Sequence, residues 1–244
     1  MKPSEKELAD TDWKSIYPVG AIAAILAVFV GLLEIAISFL PGGERISPEL
    51  ITVSDWFAHF QVNPLMELRN LGLINIFLNA FSILIFFTLY VAHRRAKPGL
   101  AALSMIVAFT GAAVFFATNR SFAMFALSNQ YAAAAGEAQR AALIAAGESM
   151  LAVGQSHTPG TFLAFALSEI ASILMAIAML RGKVFSRATA IVGMLGFALL
   201  FIFEILSSFV PALFDAAMLF AMGGGLLSLA WYILVARRLF QLAK

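Results

Sequence analysis

Three glutamates, Glu34, Glu169 and Glu204, each sit inside a long apolar run. The stretch LLFIFEILSSFVPALF (199–214) shows the pattern, with Glu204 as the one ionisable side chain before Asp215. An acid in the hydrocarbon of a bilayer costs about 2.5–3.5 kcal/mol, so such residues turn toward a bundle interior or a wet cavity. There they hold a proton, a cation or an opposite charge. Other polar residues accompany them: Asn75 and Asn79 within an apolar run, Asn119 and Arg120 at the end of another, Asp215 at the start of a third. One arginine cannot neutralise three carboxylates, which leaves at least one acid to be protonated, to hold a cation or to face water.

The histidines add a second chemistry. His59 and His157 lie in connections between apolar runs. With Glu34, Glu169 or Glu204 they could offer nitrogen and oxygen ligands to zinc, although no H-E-x-x-H spacing supports it. His93 stands in the basic turn HRRAKPG and reads as part of that basic cluster. Ser54, Asp55 and His59 are close enough in sequence to suggest a nucleophile relay, but Asp55 beside Ser54 reads better as the start of a helix capped by Ser54. No G-x-S-x-G, P-loop or dinucleotide fingerprint occurs. The chain has no cysteine, which excludes disulfides, thiolate metal sites and cysteine nucleophiles.

The elements that position these residues follow from composition. Of 244 residues, 61% are hydrophobic and 12% charged, against about 25% charged in a soluble domain. That is too little polar surface to cover a globule in water. Six segments approach the roughly 20 apolar residues a span requires: about 17–40, 71–92, 100–118, 160–180, 188–209 and 213–235. They lack strand alternation, so the fold class predicted is an all-α integral membrane bundle of six transmembrane helices. The first apolar run exceeds the usual 7–15 residues of a secretory h-region and no A-x-A pattern closes it, so it is expected to remain as a span. LPGG (40–43) stops that span, and HTPG (157–160) precedes the fourth. Asn63 and Pro64 read as the N-cap and first residue of a helix that starts well before the second span. GGG (223–225) suits a close helix approach or a kink, while GMLG (193–196) has the wrong spacing for a G-x-x-x-G dimer motif.

Basic residues set the orientation. With the N-terminus inside, Lys2, Lys6, Lys14, Arg94, Arg95, Lys97, Arg181, Lys183, Arg187, Arg237, Arg238 and Lys244 fall on the inner side, 12 of the 16 basic residues. Both termini are therefore predicted cytoplasmic. The segment 1–16 is a cytoplasmic N-terminal piece, and 17–240 forms one transmembrane domain with folded extracytoplasmic connections at 41–70 and 119–159. SDWFAHFQV reads as a short interfacial helix. GEAQRAALIAAGESMLAVG reads as an amphipathic helix on the outer interface, with Leu143, Met150 and Leu151 near one face.

The stretches SNQYAAAAGEAQRAALIAAGESMLA (128–152) and MLRGKVFSRATAIVGMLG (179–196), on either side of a span, resemble an uncharacterised prokaryotic multi-pass membrane family catalogued as a domain of unknown function. The similarity covers roughly residues 65–240. It implies a six-span protein of the prokaryotic cytoplasmic membrane and supplies no catalytic residues.

In this topology the polar residues share one level. At 1.5 Å per residue, Glu34, Asn75, Asn79, Glu169 and Glu204 lie about 6–13 Å below the outer boundary, and Asn119, Arg120 and Asp215 lie at it. Glu34 shares a helix face with Ser38, Glu204 with Ser208, and Asn75 with Asn79 and Ser82, while Ser172 follows Glu169 by one turn. Turned inward, they line an outward-facing polar pocket built from Glu34, Asn75, Asn79, Asn119, Arg120, Glu169 and Glu204. The expected function is to bind or move a small polar or amphiphilic ligand or a cation, with membrane lipids as surroundings and no cofactor or nucleic-acid partner. Two alternatives stand beside it. One is a metal-assisted intramembrane hydrolase using His59 or His157. The other is a structural or partner-binding protein whose asparagines and serines hydrogen-bond between helices. The two halves of the chain show no sequence echo, and the polar layer is off the midplane, which weighs against alternating access.

Overall fold

The computed structural model describes residues 13–40 and 51–244, and all regular structure among them is helical. Most of the predicted N-terminal segment 1–16 and the breaker after Leu40 lie outside the described residues. Ten α-helices are described: α1 (Ile16–Ser38), α2 (Val53–Val62), α3 (Pro64–Asn70), α4 (Leu73–His93), α5 (Pro98–Thr118), α6 (Ser121–Ala133), α7 (Glu137–Gly154), α8 (Phe162–Gly182), α9 (Arg187–Phe209) and α10 (Phe214–Ala243). Six helical stretches are long and apolar enough to cross a membrane, and they match the six predicted runs. Only 22–44% of the most apolar window of each is buried. The remainder presents side chains such as Phe29 (64% exposed) and Leu219 (70%) outward, as a lipid-facing surface does.

The spanning helices pack in chain order as a ring, α1–α4–α5–α8–α9–α10, closed by α10 against α1. Short turns join α4 to α5 and α8 to α9 at the end of the bundle that holds Ile16 and Ala243, here the turn end. The long connections crowd the opposite, loop end. Toward the turn end the interior is solid. Ala21, Ala24 and Ala27 of α1 meet Ile85, Phe86 and Leu89 of α4, with Met175, Met179, Trp231 and Leu239 completing the core. Small residues allow this approach. A Cβ on Gly20 would collide with Thr88, and one on Gly193 would lie 2.5 Å from the Trp231 indole.

His93 departs from expectation. It is fully buried, stacked on Phe185 at 5.4 Å, and its Nδ1 donates to the Leu89 carbonyl at 2.9 Å. It serves the packing under the α8–α9 turn instead of the basic cluster.

The loop end has a core of its own: Trp56, Phe57 and Phe60 of α2, Leu71, Met124 of α6 and Leu151 of α7. Leu143, Ile144 and Met150 pack on it, so the apolar face of α7 is covered by protein helices. Gly147 makes room there for Val53 and Phe57. The cap of α2 is Thr52, not Ser54. Backbone at Thr52 is still extended (ψ 165°), its hydroxyl accepts from Asp55 N, and Asp55 returns the bond to the Thr52 amide. Asn63 caps α3 through Met66 N with Pro64 following, as predicted. That helix does not run on into the second span, because Gly72 takes a left-handed conformation (φ 99°) and separates α3 from α4. Asn119 and Arg120 similarly divide the third apolar stretch into α5 and α6.

Candidate functional site

Near the loop end the ring does not fill, and a cavity of about 320 Å³ remains between α1, α4, α8, α9 and α10. α5 contributes no lining residue, since α4 and α8 touch in front of it. Five predicted site residues line this space: Glu34, Asn75, Asn79, Glu169 and Glu204. They meet because each lies near the loop end of its own helix, with the apolar face turned to the ring exterior. The polar layer is completed by Ser82, Ser168, Ser172, Ser228, Tyr232 and His157. Phe86, Phe165, Phe197 and Phe203 supply aromatic wall. No lysine or arginine is among the lining residues.

The structure places Asn119 and Arg120 elsewhere. Asn119 Oδ1 accepts from the amide and hydroxyl of Ser121 at the start of α6, and its Nδ2 donates to the Leu71 carbonyl. Arg120 Nη1 donates to the carbonyls of Ala117 and Asn119 at 2.7 and 3.1 Å. Both residues are used at a helix junction, where the last carbonyls of α5 and the first amides of α6 lack partners within their helices.

The arginine that meets an acid of the cavity is Arg69, from α3. Its Nη2 and Nε reach Glu34 Oε1 and Oε2 at 2.8 and 3.0 Å, and Nη2 also donates to Ser38 Oγ at 2.7 Å. The side chains are 4% and 18% exposed. A bidentate guanidinium–carboxylate pair at this depth is strong and directional. Arg69 is not legible from helical spacing, because its helix is separated from the second span at Gly72.

From the sequence, His157 stands only as a candidate metal ligand. It lies in the strap between α7 and α8, with a left-handed backbone (φ 59°) that a non-glycine residue adopts at a cost of about 1–3 kcal/mol. Thr158 and Thr161 hydroxyls donate to the Gln155 carbonyl at 2.7 and 2.9 Å and hold the strap. The ring lies against Phe165 (4.7 Å) and Phe203 (4.8 Å), and Nδ1 donates to Glu204 Oε2 at 2.7 Å. Glu204 is 2% exposed, and Ser208 Oγ donates to its other oxygen at 3.3 Å. His59 is remote from this arrangement, half exposed and 3.9 Å from Glu67. Among the described residues no three His, Asp or Glu side chains are grouped as a metal site.

Glu169 is the acid without such an arrangement. As a residue it is half-buried, but Oε2 is closed to solvent and has no hydrogen-bond partner. The carboxyl of Glu204 and the ring of Tyr232 are its electrostatic neighbours. The cavity is therefore an aromatic, largely apolar space lined by an acid, Glu169, with no lysine or arginine beside it in the wall. Compared with protein-family models, curated proteins and solved structures, the chain matches none.

Proposed function

We propose that the protein is a six-span component of a prokaryotic cytoplasmic membrane, with cytoplasmic termini and an outward-facing cavity that binds or moves a small polar or amphiphilic ligand or a cation. The excess of Lys and Arg at the turn end supports the orientation. The observation that carries the reading is a 320 Å³ cavity lined by three acids, Glu169 among them, and by no lysine or arginine. Specific ligand sites have this character: concave, mostly apolar, with few convergent polar groups.

Gly225 provides the test. It lines the cavity, and a Cβ there would meet nothing within 4 Å. Gly225→Leu therefore fills the site without displacing a helix. Purified wild-type protein and this variant are compared by thermal shift against a panel of small amines, alcohols, carboxylates and short-chain lipids. A compound that stabilises the wild type and leaves Gly225→Leu unmoved supports the reading. A panel that shifts neither protein, or both equally, refutes it.

The His157–Glu204 pair favours one further reading, an intramembrane hydrolase. A carboxylate that orients imidazole Nδ1 leaves Nε2 for base or ligand work. Stoichiometric zinc in the purified protein, lost in His157→Ala, would favour it, and its absence would remove it.

A further inference from the structure

The charge arrangement narrows the ligand class. This step rests on the cavity being a binding site. Two of its three acids have partners delivered from the loop end: Glu34 has Arg69, and Glu204 has His157 and Ser208. The third, Glu169, has an oxygen that nothing donates to. A carboxyl atom removed from water without a hydrogen bond is costly, and no lysine or arginine lines the space to answer it. An anionic ligand would add repulsion.

The walls exclude a bare ion as the best fit. The cavity holds the volume of about ten waters at ~30 Å³ each, and no three potential ligands are grouped among the described residues. Four phenylalanines and Tyr232 line the space with aromatic and apolar surface, which suits an organic cation better than a bare one. The layering points the same way. Glu169, Asn79 and Ser172 stand beside the deeper Phe86, Phe197 and Leu229, so charged head and apolar body each have a place.

We infer that this cavity takes a small organic monocation, a protonated amine with a compact apolar or aromatic body, and that Glu169 is its counter-ion. An ammonium brings up to three N–H donors. These donors face the Glu169 side chain and the hydroxyl and amide acceptors that line the same space.

Three probes of matched size decide it: phenethylammonium, phenethyl alcohol and phenylpropionate. Each is titrated calorimetrically into the full-length protein in detergent, with Gly225→Leu as the reference for micelle partitioning. The expected result is that the ammonium binds the wild type at least about tenfold more tightly than either analogue, a gap of about 1.4 kcal/mol. Glu169→Gln should erase that preference while leaving the alcohol unchanged. If the alcohol or the carboxylate binds as well as the ammonium, the amine assignment falls and the binding cavity stands. If Glu169→Gln keeps the preference, Glu169 is not the counter-ion and the inference is overturned. If no probe distinguishes the wild type from Gly225→Leu, both readings fall. Should Glu169→Gln not fold, the three wild-type affinities still decide the ligand class.

Discussion

The adjacent glycines 224 and 225 should respond in opposite directions to the same substitution. α10 runs unbroken through GGG. Gly224 faces α9. A Cβ there would lie 2.9 Å from Gly196 O, 2.9 Å from Leu200 N and 2.8 Å from Leu200 Cγ. Two of those atoms are backbone, so Gly224→Ala must push α9 and α10 apart. Overpacking of this kind costs about 1–3 kcal/mol, against a gain of about 0.5–1 kcal/mol from replacing glycine in a helix. Gly225→Ala meets no neighbour and keeps the gain alone. The two variants should differ by about 1–3 kcal/mol, since the shared gain cancels in the comparison and the clash remains. For a chain of this size that is on the order of 2–12 °C in Tm. Thermal unfolding in detergent, followed by tryptophan fluorescence, measures it. Equal destabilisation by both substitutions would mean that Gly225 does not face open space. The cavity, and with it every statement about a ligand, would then be wrong.

Other consequences are local. Arg69→Met should destabilise by about 3–5 kcal/mol because it strands a part-buried Glu34, and adding Glu34→Gln should recover part of that, with a coupling of about 0.5–3 kcal/mol in a double-mutant cycle. At Asp55 the hydroxyl and amide of Thr52 hold the carboxyl below the usual carboxylate range. A depressed acid stabilises fully above its unfolded value, so the capping box should hold at neutral pH and weaken only as acid approaches the lowered value. Hydrogen exchange in 53–62, corrected for intrinsic pH dependence, should show that loss in the wild type and show it already at neutral pH in Thr52→Ala.

The spans and the level of the polar layer were legible in the sequence because a helix converts residue number into depth and rotation. Five acids and amides on four helices accordingly line one cavity, as their spacing along the helices implies. Asn119 and Arg120 did not, because they occupy a helix junction, where the 1.5 Å rise and 100° turn no longer apply and polar side chains serve the exposed ends of the backbone. Arg69 was hidden by the single left-handed residue Gly72, which redirects α3. His157 lies in a strap with no periodicity, and its partner Glu204 is 47 residues away. Thr52 and Ser54 are chemically equivalent caps. Only the point at which extended backbone ends distinguishes them.

The way the layer spends its hydrogen bonds bears on what it is for. If its purpose were to fasten the spans together, its hydroxyls and amides would bond across helices, as Ser104 does to the Ala171 carbonyl in the core. They mostly bond within their own helices instead: Asn79 to Asn75 O, Ser168 to Ala164 O, Ser172 to Ser168 O, Ser228 to Gly225 O. These four side chains are thus satisfied within their own helices and hold no neighbouring helix. The ionic contacts follow another rule. Arg69 and His157 both come from the loop end and each holds an acid of a span, so they tie cap to bundle and not span to span. Glu169 receives no such partner, although it stands next to Glu204. A layer built for cohesion would give such an acid a partner from a neighbouring helix. A layer built to receive a cation from outside would leave it in the cavity wall with no lysine or arginine beside it, as here.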